Sequence, residues 1–124
     1  MYDKLYSVFG EFIELDEHDM DFLREKFLPI SFKKKEQPIQ YGKIADSYYF
    51  IIKGLLRLYG FREGEEKTLF FFKENMIAGS LESYLEKTPS ELVLEALENT
   101  EALVITSQGL QELFDESQKY SRLG

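Results

Sequence analysis

The stretch that decides the fold is Tyr49-Phe50-Ile51-Ile52-Lys53-Gly54-Leu55-Leu56-Arg57-Leu58, near the middle of a chain of 124 residues. Aromatic and β-branched residues, which favour strands, fill its first half, and apolar residues recur through the second. Gly54 separates the two halves, and glycine adopts backbone conformations that other residues avoid. The stretch therefore predicts two strands that meet at a tight corner.

Segments of strand-like composition continue on both sides of this corner, with turn residues between them. The predicted strands cover residues 30–32, 38–42, 47–53, 55–61, 68–73, 90–97 and 102–106. A hairpin turn is predicted at 62–65, where Gly64 supplies a permissive backbone. Many short strands at near-regular spacing are typical of a β-roll or barrel.

Two short helices are predicted ahead of the strands. Residues 2–13 place apolar side chains three and four positions apart, which is the spacing of one face of an amphipathic helix. Asp16 is then predicted to cap a second helix, with Asp19 as its box-like partner. Pro29 is predicted to end this helix, because the residue before a proline is pushed out of the helical region.

A further short helix is predicted at 81–85, and the last helix is predicted to begin at Ser107 as its N-cap. The whole pattern predicts a mainly β fold, a jelly-roll β-roll (double-stranded β-helix) with short N-terminal helices and a C-terminal helix. We expect a single domain over 1–124, with helices at about 2–28, the roll at about 30–106 and the terminal helix at about 107–123.

The residue types that most enzyme sites need are scarce. The chain has no cysteine and one histidine, so disulfides, thiolate metal sites and a cysteine nucleophile are excluded. A cupin-type metal site needs several convergent imidazoles, and His18 stands alone in an acidic helix turn. No Gly-x-Ser-x-Gly elbow and no glycine-rich phosphate loop is present. We therefore expect no enzyme activity and no bound metal.

The charge of the chain argues against nucleic acid as a direct partner. It carries 15 basic and 23 acidic residues, a formal net charge of -8. Binding to DNA depends on neutralising phosphates with Lys and Arg, and the run 33–35 of three lysines is interpreted as a solvated strand end. No apolar run reaches the ~20 residues that span a bilayer, and the polar start is not a signal peptide. We expect a cytoplasmic protein without a membrane partner.

Two segments carry a resemblance to a known family. Residues 49–58 resemble the "yfIxkGxlrly" signature of Crp/Fnr-type cyclic-nucleotide-binding domains of bacterial transcription regulators, and the segment Glu95-Ala96-Leu97-Glu98-Asn99-Thr100-Glu101-Ala102-Leu103-Val104 is similar to the last pair of strands in that family. The similarity runs from about Asp16 to Leu123. It implies the β-roll fold and a pocket for a small-molecule effector.

The same resemblance implies a phosphate-binding cassette, which in the family reads Gly-Glu at the mouth of a short helix and Arg-Ser or Arg-Thr some ten residues later. Gly79 fits the glycine, but Ser80 stands in place of the glutamate and Ser90 in place of the arginine. Each charge-assisted hydrogen bond contributes about 1.5–3 kcal/mol. Losing both therefore lowers the affinity for a cyclic nucleotide by about two to four decades. Tight binding of cyclic AMP by the usual means is not expected.

The candidate ligand-binding residues are those expected around a cavity beside the cassette glycine. They are Gly79, Ser80, Leu81, Tyr84, Ser90, Glu91, Leu58 and Leu69. Two interpretations stay open for this pocket. It is either retuned for another small-molecule effector, with a cyclic nucleotide as one candidate ligand and no cofactor assured, or it is a vestigial cavity filled by ordinary core side chains.

The resemblance implies the effector-sensing regulatory domain of a Crp/Fnr-family transcription regulator. DNA would then be contacted only through a domain that this chain does not contain. The alternative function is a stand-alone protein-interaction or dimerisation module with a vestigial pocket. The last helix places Leu110, Leu113 and Phe114 on one face, which could pack on the roll or on a second copy, so a homodimer and a monomer both stay open.

Overall fold

The computed structural model describes residues 1–79 and 87–123, with side chains described as far as Tyr120. Within these residues, helices lie at the two ends and seven strands lie between them. In chain order the elements are α1 (Tyr2–Gly10), α2 (Glu17–Lys26), β1 (Leu28–Phe32), β2 (Ser47–Lys53), β3 (Leu56–Arg62), β4 (Glu65–Phe72), β5 (Ile77–Ala78), β6 (Val93–Ala96), β7 (Thr100–Thr106), α3 (Ser107–Glu116) and a 3-10 helix (Gln118–Leu123). The predicted mainly β fold with terminal helices is confirmed.

The described strands form two antiparallel sheets. One has the order β1-β7-β2-β5 and the other the order β4-β3-β6. The chain passes from the first sheet to the second at Gly54, whose φ is +124. A Cβ at this position would lie 2.3 Å from Oγ1 of Thr100, so the predicted corner needs glycine for its backbone conformation and for its space.

β2 is buried on both faces because it contributes to two separate cores. Phe50 and Ile52 point into a core that the helices share with the first sheet. Tyr49 and Ile51 point the other way, into the core between the two sheets. Successive side chains of a strand point to opposite faces, so a continuous apolar run is what a doubly covered strand requires.

Side-chain caps set the starts of α2 and α3, whereas α1 has none. The capping box predicted for α2 is present, since the backbone N–H of Asp19 donates to Asp16 at 2.9 Å and the backbone N–H of Asp16 donates to Asp19 at 3.0 Å. The N-cap predicted for the last helix was wrong. Thr106 caps α3 by accepting from the Gly109 N–H at 3.0 Å, because its backbone is still extended while Ser107 is already helical.

Several predicted boundaries differ from those observed. Residues 38–42 do not form a strand and make only one bridge, from Ile39 to Leu94, because Gly42 turns the backbone to a φ of +82. The strand predicted at 90–97 is limited to Val93–Ala96. α1 ends at Gly10 instead of continuing to residue 13. The helix predicted at 81–85 lies outside the described residues.

The terminal helix predicted at 107–123 is interrupted. Ser117 has an extended backbone, and the chain then continues as the 3-10 helix. Tyr120 in this segment is fully buried, and its hydroxyl donates to Asp19 Oδ1 at 2.6 Å. The Lys119 ammonium also donates to Asp19, so a single carboxylate in α2 holds the end of the described chain. None of the helices in the described part has the length and apolar character needed to span a bilayer.

Candidate ligand-binding site

Gly79 follows β5, and the ring of Tyr48 on β2 lies directly against it. A Cβ at Gly79 would lie 2.3 Å from Cδ1 of Tyr48. This distance is too short for two carbon atoms that are not bonded. The φ of Gly79 is not in the left-handed region. The packing against Tyr48 is therefore sufficient to explain the glycine of the predicted cassette.

Ser90 is buried, with 5% of its surface exposed, and its hydroxyl is already satisfied. The Oγ accepts from the Leu92 N–H at 3.0 Å and donates to the Leu92 carbonyl at 2.9 Å. Its backbone N–H and carbonyl pair with Lys43 and Gly42, each at 2.8 Å. At the position of the family's arginine, this chain therefore has a turn-forming serine.

The other predicted site residues are divided among different surroundings. Leu58 packs against the core between the sheets. Leu69 is 57% exposed, and it lines one cleft together with the exposed Glu91. Ser80, Leu81 and Tyr84 lie outside the described residues.

That cleft lies at the tip of the β3–β4 hairpin and has a volume of about 580 Å³. We call it the hairpin cleft. Its lining residues come from the hairpin, from the loop before β2 and from the segment before β6. They are Tyr41, Gly60, Phe61, Arg62, Lys67, Leu69, Glu91 and Leu92. Sequence reasoning identified only Leu69 and Glu91 among them, although a glycine inside a strand such as Gly60 is a known signal of close approach by a ligand or backbone.

A β-bulge shapes one wall of the hairpin cleft. Leu58 pairs with Phe70 and Tyr59 pairs with Thr68, so Leu69 is the extra residue on β4. A bulge bends its strand and re-aims a side chain. Leu69 consequently adds apolar surface to the cleft while much of it remains exposed to solvent.

The aromatic wall of the hairpin cleft is formed by Tyr41 and Phe61. Their rings meet edge to face, with centroids 5.7 Å apart, and both side chains are more than half exposed. Such an edge-to-face pair is a favourable aromatic geometry. It leaves apolar ring surface available at the cleft mouth.

The cations of the hairpin differ in how far they are engaged. Arg57 donates to Thr68 Oγ1 at 2.7 Å and lies over the Tyr59 ring at 4.2 Å, so it is held away from the cleft. Lys67 lies 3.9 Å from Glu65, and both are exposed, a distance at which an ion pair contributes little. Arg62 is opposite Glu65 in the β3–β4 ladder, but its side chain makes no ion pair or hydrogen bond with any residue that the structure describes.

A metal or hydrolytic site receives no support from the described residues. Within them, no three His, Cys, Asp or Glu side chains come together closely enough to hold a metal ion. His18 lies on α2 and makes a 3.0 Å hydrogen bond with Glu116. That hydrogen bond raises the pKa of His18 above its usual value.

The antiparallel roll, the glycine corner and the terminal helices define a β-roll domain. A model of the cyclic nucleotide-binding domain family matches residues 29–117 of this chain. The chain belongs to that family. No curated protein sequence matches it.

Solved structures with the same fold come from bacterial regulators and from protein kinase A regulatory subunits. The catabolite activator protein of Thermus thermophilus is 20% identical with a TM-score of 0.76, and the alignment covers 89% of this chain and 52% of that chain. The regulatory subunit of a cAMP-independent protein kinase A from Trypanosoma brucei is 18% identical with a TM-score of 0.76, covering 91% and 41%. The N-terminal domain of a transcriptional regulator from Streptomyces coelicolor A3(2) is 18% identical with a TM-score of 0.72, covering 95% and 80%.

These identities are low enough that the likeness shows the fold alone. The chain spans about half or less of the length of the first two proteins. The second is the regulatory subunit of a cAMP-independent protein kinase A, so the same roll occurs in a subunit of such a kinase.

Proposed function

We propose that this chain is the effector-sensing regulatory domain of a Crp/Fnr-type transcription regulator, and that it acts without enzyme activity. Membership of the cyclic nucleotide-binding domain family supports a small-molecule effector. The likeness to the catabolite activator protein and to a transcriptional regulator's N-terminal domain supports a bacterial regulator as the whole protein. In this proposal the DNA contact is made by a domain outside this chain, because the chain itself has a net charge of -8.

The hydrogen bonding of Ser90 is the observation on which the expected ligand preference rests. The family places an arginine there for the cyclic phosphate, whereas the Ser90 hydroxyl is used up in local bonds to Leu92. Glu91 beside it is exposed and acidic. Since Ser80 also replaces the glutamate, both charge-assisted bonds are lost, and we expect cyclic AMP to bind about two to four decades more weakly than it binds a complete cassette.

The test is a thermal-shift titration of the domain with cyclic AMP, cyclic GMP and a panel of small metabolites. We expect no stabilisation by micromolar cyclic nucleotide and a clear stabilisation by a panel member. Ser80→Trp, next to Gly79 in the sequence, should abolish that stabilisation. Ser7→Trp, at an exposed position of α1, is the matched control and should leave it unchanged. A micromolar or tighter complex with cyclic AMP would refute the claim about the lost charges.

A second candidate function is a protein-interaction module, and β4 is the observation that favours it. β4 is an edge strand of its sheet among the described strands. Leu69, Phe70 and Phe71 on it are 57%, 48% and 53% exposed, and exposed apolar edge strands are sites of pairing with other chains. Light scattering after size exclusion tests this candidate. Stable self-association that Phe71→Lys abolishes, together with no response to any ligand, favours the interaction module over the sensor.

A further inference from the structure

We infer that the hairpin cleft binds a small organic acid with an apolar or aromatic body, and that Arg62 and Lys67 receive its anionic group. This inference rests on the proposed sensing function and specifies the chemical class of its ligand. The anion would then be bound by charges at the tip of the β3–β4 hairpin, because this chain has serines in place of the charged residues of the cassette.

Gly60 is the first observation behind the inference. It lies within β3 opposite Lys67, and its φ is not in the left-handed region. A Cβ there would meet only the end of the Leu92 side chain, at 3.0 Å. Neither backbone conformation nor tight packing against rigid atoms explains this glycine, in contrast to Gly54. Gly60 is itself buried, and its lack of a side chain lets Leu92 lie low against β3, so that a larger residue here would push Leu92 up into the cleft where a ligand approaches.

The second observation is the apolar surface that remains exposed around this part of the cleft. Tyr41 and Phe61 form the aromatic pair, and Leu69 is turned toward the cleft by the bulge. These three side chains are each more than half exposed. Small-molecule sites are mostly apolar and aromatic with a few charged groups that fix orientation. A ring or branched hydrocarbon placed over Gly60 would cover all three side chains.

The third observation is the charge at the rim. Arg62 and Lys67 both line the cleft in a protein that is otherwise strongly acidic. Within the described part of the chain the Arg62 side chain has no ion pair or hydrogen bond, and Lys67 has only a loose contact with Glu65. Glu91 is the acidic member of the lining. Among the lining residues two cations face one carboxylate, and Glu65, which is opposite Arg62 in the ladder and 3.9 Å from Lys67, is the rim acid that the ligand would have to displace. The arginine fork is suited to a carboxylate.

The experiment is an NMR titration of the labelled domain with 3-phenylpropionate and with its neutral amide, 3-phenylpropionamide. We expect the acid to shift the backbone amides of Gly60, Phe61 and Leu92. The amide should bind about tenfold more weakly, the ratio that corresponds to one additional charge-assisted hydrogen bond. Equal binding of the two probes, or no shift at these amides with either probe, would overturn the inference.

Two variants and a control complete the test. In Arg62→Gln/Lys67→Gln the acid should bind no better than the amide, and Gly60→Val should abolish binding of both probes by pushing Leu92 into the cleft. Lys33→Gln/Lys34→Gln removes two exposed lysines elsewhere and should leave the preference for the acid unchanged. NMR spectra of each variant report whether the fold is retained. A preference for the acid that survives in Arg62→Gln/Lys67→Gln would overturn the assignment of the cations.

The experiments distinguish a wrong assignment of the hairpin cleft from a wrong assignment of the sensing function. A panel metabolite that stabilises the domain, is blocked by Ser80→Trp and is indifferent to Gly60→Val would leave the sensing function in place and overturn the hairpin cleft as its site. If no metabolite stabilises the domain while the phenylpropionate results hold, the cleft stands as a binding site and the sensing function is lost.

Discussion

Replacing Asp19 by asparagine tests how the end of the chain is held. The Asp19 carboxylate accepts from the Tyr120 hydroxyl at 2.6 Å, from the backbone N–H of Asp16 at 3.0 Å and from Lys119. An asparagine side chain has a single acceptor oxygen, and its amide group would face a donor at one of these contacts. Asp19→Asn therefore loses a buried charged acceptor and leaves at least one donor unsatisfied.

The expected loss can be worked out from these contacts. Hydrogen bonds to a charged group contribute about 1.5–3 kcal/mol each, and removing one partner of a buried ion pair costs about 3–5 kcal/mol. Because Lys119 keeps about a third of its side chain exposed, we expect a total of about 2–4 kcal/mol. For a chain of this length that lowers Tm by about 10–15 °C. Tyr120→Phe, which keeps the buried ring, should cost about 1–2 kcal/mol.

The pH dependence supplies an independent check. Burial by itself raises the pKa of Asp19, but hydrogen bonds from Lys119, Tyr120 and Asp16 outweigh burial and hold the pKa well below its usual value. A pKa lowered by folding means that the stabilisation is complete above the pKa of an unfolded aspartate, about 3.9, and decreases as the pH falls below it. The difference in unfolding free energy between wild type and Asp19→Asn should therefore narrow on acidification.

The assay is urea unfolding followed by circular dichroism at neutral pH and at about pH 3. Glu17→Gln removes an exposed acid from the same first turn of α2 and serves as the matched control, with an expected change within about 0.5 kcal/mol. Equal stability of Asp19→Asn and this control at neutral pH would refute the role of Asp19. A difference in unfolding free energy from wild type that stays constant on acidification would do the same.

Three smaller predictions follow from local geometry. Gly54→Ala should lower the unfolding free energy by about 2–4 kcal/mol through its positive φ and lack of space, whereas Gly10→Ala, with nothing within 4 Å, should be near neutral in the same urea titration. Thr106→Ala should cost about 1 kcal/mol as the lost cap of α3, and thermal melts should show Ser107→Ala unchanged; the reverse order would contradict the cap assignment. NMR titration should give His18 a pKa above 6.5, so its contribution to stability is present at acid pH and lost as the pH rises through that pKa; a value at or below 6.5 would rule out the hydrogen bond.

Features that depend on neighbouring residues could be predicted from the sequence. The capping box of Asp16 and Asp19 is a contact over three positions, and the corner at Gly54 follows from one glycine between two apolar runs. The boundary at Thr106 and Ser107 could not be decided in this way. Both residue types cap helices, and the choice depends on where the β7 backbone leaves its extended conformation.

The hairpin cleft and the Asp19 cluster depend on contacts between distant parts of the chain. The position of Leu69 is set by a bulge, and a single-residue change of register moves a side chain from one face of a sheet to the other. The Leu92 side chain lies against Gly60 although the two residues are far apart in the sequence. No local pattern shows that Tyr120 returns to α2. The absence of cysteine excludes a thiolate site from composition alone. Composition cannot show that Arg62 and Lys67 both line the hairpin cleft.

The contact between Gly79 and Tyr48 links the backbone after β5 to the core that the helices share with the first sheet. The Tyr48 ring lies against the glycine on one side and against the helical core on the other. Protein interiors are packed too densely to absorb such a displacement. A ligand that pushed the backbone at Gly79 inward would therefore displace the ring, and the ring would press on the core that the helices share with the first sheet. Ligand binding beside Gly79 would in this way change the packing of the helical layer.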